Sequence, residues 1–126
     1  MSVLVDTSVW IEYFKTGKNA EKLDFFIDEN IVVTNDLILA ELIPPLKMRN
    51  QKKIIKLLSE LNRFELLINW DEIMVFQVKC LKNGINGIGI PDLIIAQNAN
   101  QNNCAIYTLD KHFQLMKDIL KLRLTQ

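Results

Sequence analysis

The 126-residue sequence has few residues of the kinds that mark a linker-rich, disulfide-bonded or membrane-spanning chain. Its 4 glycines and 3 prolines leave little room for linkers or low-complexity tails. Its 2 cysteines, Cys80 and Cys104, are interpreted as buried free thiols, with a disulfide or a reactive thiol as the alternatives. No apolar run approaches the roughly 18–20 residues that a membrane span needs. The first residues also lack the basic segment of a signal peptide, so we expect a cytoplasmic protein without membrane association.

The sequence also lacks an excess of charge of either sign. Lys and Arg number 15 and Asp and Glu number 15, so the formal net charge is zero. Overall charge therefore gives no reason to expect a nucleic-acid coat protein or a membrane-surface protein, and any charge-dependent function must come from local patches. Hydrophobic residues at 49% and charged residues at 24% are typical of a globular chain. The length predicts one domain over residues 1–126.

Short apolar runs alternate along the chain with segments of helical periodicity. Strands are predicted at residues 3–5, 31–34, 64–68 and 105–108, and residues 122–124 would supply a fifth. Helices are predicted at about residues 7–14, 21–28, 51–61, 71–82 and 110–120, together with two that begin near Asn35 and Pro91. The helix after Asn35 is expected to end or kink at Pro44 and Pro45, because proline lacks the backbone N–H. This alternation predicts a three-layer α/β sandwich with a central parallel sheet of about four to five strands flanked by helices.

Four acidic residues stand where strands end or helices begin. Asp6 follows the first strand, Asp110 follows the fourth, Asp92 opens a helix, and Glu41 is the only charge within residues 37–43. Each acid alone has an ordinary explanation, as a helix cap, a partner of the helix dipole or a polar helix face. Ligands of open α/β sheets, however, bind at the carboxyl ends of the strands. We therefore expect the four carboxylates to share that edge.

Clustered carboxylates need a cation or a proton. Two carboxylates about 4 Å apart repel by about 4 kcal/mol at an effective dielectric constant near 20, so without a counter-ion at least one would protonate. Oxygen ligands without a set of cysteines and histidines suit Mg²⁺ or Mn²⁺ better than Zn²⁺. Such a site is suited to phosphodiester hydrolysis, because a bound metal lowers the pKa of an attacking water.

Four segments that contain these acids follow one another at suitable spacing. They are Val5-Asp6-Thr7-Ser8-Val9-Trp10-Ile11-Glu12, Ala40-Glu41-Leu42, Pro91-Asp92-Leu93-Ile94-Ile95-Ala96 and Thr108-Leu109-Asp110-Lys111-His112-Phe113. In this order they resemble the motifs of the PIN-domain nucleases. The length and near-complete coverage resemble most the VapC toxins of toxin–antitoxin pairs, and the fold that this resemblance implies is the PIN-like sandwich.

The resemblance implies a Mg²⁺- or Mn²⁺-dependent endoribonuclease that a cognate antitoxin keeps inactive and that forms a homodimer or a toxin–antitoxin hetero-oligomer. The acidic metal ligands and catalytic residues that it implies are Asp6, Glu41, Asp92 and Asp110. Thr7 and Thr108 would orient carboxylates or waters around them. Many relatives carry a further acid two residues after the last one, where this sequence has His112. The role of His112 stays open between a ligand, a proton donor and a surface or substrate-facing side chain.

Positive charge is concentrated between residues 47 and 63, where six basic residues face one acid, Glu60. The basic residues are Lys47, Arg49, Lys52, Lys53, Lys56 and Arg63. The first five are candidates for contacts with the RNA backbone, and a solvated helix face is the equal alternative. An apolar surplus in the same part of the chain would contact an antitoxin or a second copy, or would be core. It comprises Leu37, Ile38, Leu46, Ile54, Leu57 and Leu58.

Two other functions compete with a nuclease. An aspartyl-phosphate phosphatase would show an Asp-x-Asp pair after its first strand, whereas Thr7 and Ser8 follow Asp6 here. A non-catalytic RNA- or protein-binding module of PIN-like fold would usually have lost some of the acids, and all four are present. The nuclease is therefore the favoured hypothesis, and the binding module is its alternative.

Overall fold

A parallel sheet forms the centre of the computed structural model, which describes residues 1–18 and 20–125. Its strands are β1 (Val3–Val5), β2 (Val32–Thr34), β3 (Asn62–Arg63) and β4 (Ala105–Tyr107), in the spatial order β3-β2-β1-β4. Leu4 of β1 pairs with Val33 on one side and with Ile106 on the other. All three residues of β1 are buried, as expected for a central strand with both faces covered.

Helices cover both faces of the sheet, which confirms the predicted α/β fold class. They are α1 (Thr7–Lys15), α2 (Ala20–Asp28), α3 (Asp36–Met48), α4 (Lys52–Glu60), α5 (Trp70–Lys82), α6 (Ile90–Gln101) and α7 (Lys111–Met116). Side-chain oxygens cap four of them and satisfy free backbone N–H groups at their N-termini. The caps are Asp6 for α1, Asn35 for α3, Asn69 for α5 and Asp110 for α7. The predicted domain over residues 1–126 also includes residues 19 and 126, which lie outside the described residues. None of the described helices is long and apolar enough to cross a membrane.

Helix α3 does not end at its prolines, so of the two predicted outcomes, an end or a kink, the end was wrong. The helix runs to Met48 with Pro44 and Pro45 inside it. These prolines remove the N–H groups that would bind the carbonyls of Ala40 and Glu41. All four residues are exposed, so the carbonyls on this side of the helix face solvent rather than the core.

The third strand lies before the predicted segment. Asn62 and Arg63 pair with Val33 and Thr34 of β2, and the backbone N–H of Phe64 donates to the carbonyl of Thr34. Strand β2 ends there because Asn35 caps α3. The apolar run 64–68 alternates half-buried and exposed side chains but continues past the end of its neighbour. The apolar residues 64–68 therefore lie at the edge of the core, whereas the residues that pair with β2 come just before them.

Two predictions near the C-terminus were too long. Residues 122–124 do not form a strand. Ile106 and Leu124 make only a single isolated parallel bridge beside β4. Helix α7 ends at Met116 rather than near residue 120. Its two buried side chains, Phe113 and Met116, attach it to the core, and hydrogen-bonded turns follow it.

A buried network of side-chain amides fixes α6 against the sheet. Asn35 donates to Oδ1 of Asn98 at 2.9 Å, and Asn98 donates to the carbonyl of Glu65 at 3.0 Å. Gln97 donates to the carbonyl of Asn69 at 3.0 Å and accepts from its N–H at 3.1 Å. Buried amides are stable only when they are paired in this way. The network sets the position of α6, whose first turn carries Asp92.

Candidate metal centre

The four predicted acids line one cleft at the carboxyl edge of the sheet. Asp6 follows β1, and Asp110 comes three residues after the end of β4, which is the neighbour of β1 in the sheet. Glu41 projects from α3, and Asp92 lies in the first turn of α6. The cleft is lined by Asp6, Thr7, Ser8, Ile11, Glu41, Asp92, Ile95 and Asp110. Neighbouring parallel strands and two helix segments thus bring together acids that are up to 104 residues apart.

Asp6 is the most enclosed of these acids, with 3% of its surface exposed. Its Oδ1 accepts from the backbone N–H of Ser8 at 2.6 Å and from the Ser8 hydroxyl at 2.5 Å. Its Oδ2 accepts from the hydroxyl of Thr108. Burial raises the pKa of Asp6, and the hydrogen bonds from Ser8 and Thr108 oppose that rise. The carboxylate is therefore held in one orientation at the base of the cleft.

Both predicted threonines contact acids of the cleft. Thr108 donates to Asp6, and its hydroxyl oxygen accepts from the backbone N–H of Asp110 at 3.0 Å. Thr7 donates to Oε1 of Glu41 at 3.1 Å. Each hydroxyl thus donates to one carboxylate, Thr108 to that of Asp6 and Thr7 to that of Glu41, which fits the orienting role that the resemblance implies.

Ser8 also lines the cleft, although it was not among the predicted site residues. Besides its bonds to Asp6, its hydroxyl oxygen accepts from the backbone N–H of Leu109 at 3.0 Å. Ser8 therefore joins the start of α1 to the loop after β4. The signal available in the sequence was its position two residues after Asp6, which is where a side chain can contact a capping carboxylate.

Asp92 carries the clearest electrostatic sign of a charge cluster. Burial and the nearby negative charges of Asp110, Asp6 and Glu41 raise its pKa from 3.8 to about 6, against an opposing effect of His112. Desolvation by burial is the largest of these effects, and the charge of Asp110 is the second largest. The repulsion expected from the sequence is therefore present around this side chain.

Glu41 lies at the rim of the cleft rather than among apolar side chains. It is the only charge within an apolar run of the sequence, but the residue is exposed on the solvent side of α3. Its neighbours Leu39 and Leu42 point into the core instead. Glu41 is therefore not a buried charge that needs a partner. Its contact with Thr7 and its position in the lining of the cleft are what identify it as a candidate site residue.

The structure brings His112 to the same cluster. Its Nδ1 lies 3.5 Å from Oδ1 of Asp110 and 3.9 Å from Oδ2 of Asp92. One atom from each of these three side chains lies within 4.8 Å of the others, a grouping that could hold a metal ion. The geometry keeps the alternatives for His112 open, because its side chain is 40% exposed and also lies beside two carboxylates.

The five candidate RNA-binding residues are all exposed. Arg49 borders a hollow that shares Ile11 and Glu41 with the cleft and has Phe14, Leu42, Pro45 and Leu46 in its lining. A second hollow is lined by Lys47, Asn50, Lys52, Ile55 and Lys56. Arg63, by contrast, pairs with Asp36 at 3.1 Å.

Most of the apolar surplus belongs to the core. Ile38, Leu46 and Leu58 are buried, and the remaining three members are half-buried. Exposed apolar side chains occur instead along α5. They are Trp70, Met74, Val75, Val78 and Leu81. Of the two tryptophans, Trp10 is buried, while Trp70 is exposed.

Comparison with known proteins agrees with this geometry. The PIN domain family model matches residues 3–119. The structure of VapBC2 from Rickettsia felis, bound to a promoter DNA fragment, is similar, with a TM-score of 0.78 and 22% identity over 99% of this chain and 98% of that chain. VapBC-1 from nontypeable Haemophilus influenzae gives a TM-score of 0.68 and 25% identity over 100% of this chain and 98% of that chain. DNA-bound VapBC from Salmonella typhimurium gives a TM-score of 0.76 and 17% identity over 99% of this chain and 97% of that chain. The comparison with curated protein sequences gives no match.

Proposed function

Because the chain belongs to the PIN domain family, we propose that it is a metal-dependent endoribonuclease and the toxin of a VapBC-type toxin–antitoxin pair. The observation that carries this proposal is the convergence of Asp6, Glu41, Asp92 and Asp110 on one cleft. The similar VapBC structures, which cover nearly the whole length of both chains, support the toxin assignment and a single PIN domain over residues 1–126.

The donor atoms of the cleft fit a hard divalent cation. Four carboxylates supply oxygen ligands, and burial together with the neighbouring negative charges raises the pKa of Asp92. Carboxylate oxygens are the ligands that Mg²⁺ and Mn²⁺ prefer in proteins. Asp6, Glu41, Asp92 and Asp110 would therefore hold Mg²⁺ or Mn²⁺, with Thr7 and Thr108 fixing the carboxylates.

A bound divalent ion would supply an activated water and stabilise the charge that develops during phosphodiester hydrolysis. The chain's own contribution is to hold its carboxylates in place beforehand. Asp6 accepts from Ser8 and Thr108 at the same time, so its two oxygens keep fixed directions. Preorganised charge of this kind costs no reorganisation when the reaction occurs.

The basic face beside the cleft suits the backbone of RNA. Lys47, Arg49, Lys52, Lys53 and Lys56 are exposed on α3, α4 and the turn between them. Lysine and arginine side chains there would contact phosphates and position a strand without selecting its sequence. The hollow between Arg49 and Glu41 connects this face to the acids.

The proposed partners are an RNA substrate and a cognate antitoxin, in a homodimer or a toxin–antitoxin hetero-oligomer of the cytoplasm. The similar structures named VapBC support the antitoxin. The exposed apolar side chains of α5 are candidates for a protein contact, because contiguous exposed apolar surface commonly marks an interface.

The test is cleavage of RNA by the purified chain. Total RNA and a tRNA pool are incubated with the protein in Mg²⁺, in Mn²⁺ and in EDTA, and the new ends are sequenced. Asp6→Asn and Asp92→Asn are the site variants, and Asp118→Asn, at an exposed acid outside the cleft, is the matched control. We expect cuts at discrete sites by the wild type and the control, and none by the site variants or in EDTA.

Full activity of either folded site variant would contradict the proposed site. Metal binding by the wild type without cleavage of any RNA would instead support the non-catalytic RNA- or protein-binding module. Circular dichroism of each variant establishes that a loss of cleavage does not come from unfolding.

A further inference from the structure

We propose that His112 is a nitrogen ligand of the metal in this cleft, alongside Asp92 and Asp110, and that it makes the site prefer Mn²⁺ to Mg²⁺. The inference rests on the proposed metal-dependent function and specifies the donor set and the metal.

The side chain of His112 faces two acids without making a good hydrogen bond to either. Its Nδ1 lies 3.5 Å from Oδ1 of Asp110 and 3.9 Å from Oδ2 of Asp92. Hydrogen bonds between nitrogen and oxygen are usually 2.7–3.2 Å long. The three donor atoms lie within 4.8 Å of one another, but the imidazole nitrogen is too far from either carboxylate oxygen for a good hydrogen bond. This is the spacing of atoms that share one cation.

The local backbone holds the imidazole in this direction. The N–H of His112 donates to Oδ1 of Asp110 at 2.9 Å, which caps α7. The next residue, Phe113, is 1% exposed and anchors the first turn of α7 in the core. The side chain of His112 is itself 40% exposed, so it does not fill a core position. A half-exposed imidazole between two carboxylates is open to an ion from solvent.

The chemistry of the donors indicates which metal this set prefers. Mg²⁺ takes oxygen ligands almost entirely, whereas imidazole suits transition metals. The other side chains of the cleft are carboxylates, which suit Mn²⁺ and Mg²⁺ alike. One nitrogen among several carboxylate oxygens therefore favours Mn²⁺ over Mg²⁺.

The deciding measurement is electron spin-echo envelope modulation of Mn²⁺ bound to the full chain. His112 is the only histidine in the sequence, so any imidazole coupling comes from it if the protein carries no polyhistidine tag. We expect a nitrogen coupling in the wild type that changes when histidine is labelled with ¹⁵N. The coupling should be absent from His112→Gln and from His112→Asp.

Metal titrations give an independent measure of selectivity. Free Mn²⁺ is followed by its paramagnetic resonance signal, and Mg²⁺ is added as the competitor. We expect the ratio of Mn²⁺ to Mg²⁺ affinity to fall about tenfold or more in His112→Asp, because the variant has only oxygen donors. Asp118→Asn, which lies outside the cleft, should keep the wild-type ratio.

The outcomes separate this inference from the proposed function. Mn²⁺ that binds in the cleft without imidazole coupling would overturn the assignment of His112 and leave the nuclease proposal standing. Failure of the folded wild type to bind either metal would overturn both. If a His112 variant fails to fold, the ¹⁵N-labelled wild type still decides the matter, since its spectrum needs no substitution.

Discussion

Replacing Asp92 with asparagine should stabilise the protein when no metal is bound. The pKa of Asp92 rises from 3.8 to about 6 through burial and the charges of Asp110, Asp6 and Glu41. A carboxyl group with a raised pKa binds a proton more tightly in the folded state than in the unfolded state. The stability of the metal-free protein therefore falls as pH increases from about 4 to about 6.

The expected magnitude follows from the size of the pKa change. A rise from 3.8 to about 6 is about 2 units, which corresponds to about 3 kcal/mol at pH 8. The Asp92 side chain is 26% exposed, so solvent does not greatly screen this cost. Asparagine removes the charge but also loses the attraction of a carboxylate to the N-terminus of α6, which is worth up to about 1 kcal/mol. The net gain in the free energy of unfolding should be about 2 kcal/mol at pH 8 and near zero at pH 4.

Urea unfolding in EDTA at pH 8 and pH 4 measures both values. A gain of about 2 kcal/mol should raise the urea midpoint by about 1 M at pH 8. Asp118→Asn is the control, because Asp118 is an exposed acid outside the cleft. Loss of stability in Asp92→Asn at pH 8, or a difference that is equal at the two pH values, would refute the electrostatic reasoning.

Adding metal should reverse the order of stability. A metal at a concentration 100 times its dissociation constant stabilises the form that binds it by about 2.7 kcal/mol. The wild type should gain this amount, and Asp92→Asn should gain much less. If metal stabilises the two proteins equally, Asp92 is not a ligand.

Three further predictions concern the surroundings of the acids. Thr108→Val should weaken Mn²⁺ binding about 10–100-fold, because the hydroxyl donates to Asp6 and accepts from the backbone N–H of Asp110, while Thr108→Ser should stay close to wild type in the same titration. Asn98→Ala should lower the free energy of unfolding in urea by about 2–4 kcal/mol, since it leaves a buried amide and a carbonyl unpaired. Changing Lys47, Lys52 and Lys56 to glutamine should reduce the slope of log affinity against log salt for single-stranded RNA by up to about 2. An unchanged slope would support a merely solvated helix face.

Much of the fold could be predicted because the buried strands have a simple pattern. Residues 3–5 and 105–107 are short apolar runs followed by polar residues, and they form the paired strands β1 and β4. Strand β3 has no such pattern, since Asn62 and Arg63 are exposed and polar. Its position depends on where β2 ends, which is a tertiary contact that the sequence of β3 does not encode.

The convergence of the four acids could likewise be predicted from topology. Because β1 and β4 are neighbouring parallel strands, Asp6 and Asp110 lie at the same carboxyl edge of the sheet, independently of their side-chain conformations. The geometry of His112 could not be predicted in the same way. It depends on the cap that Asp110 makes and on the burial of Phe113, which together set the direction of the imidazole.

Helix capping and metal binding are compatible functions of the same carboxylates. Asp6 accepts from Ser8 through Oδ1 and from Thr108 through Oδ2, which uses three of the roughly four lone-pair sites of a carboxylate. Asp110 needs only Oδ1 for the cap of α7. A capping explanation for either acid therefore does not count against a role in the cleft. It also explains why each motif alone is ambiguous: one aspartate can begin a helix in any fold, and only the meeting of four acids at one sheet edge creates a demand for a cation.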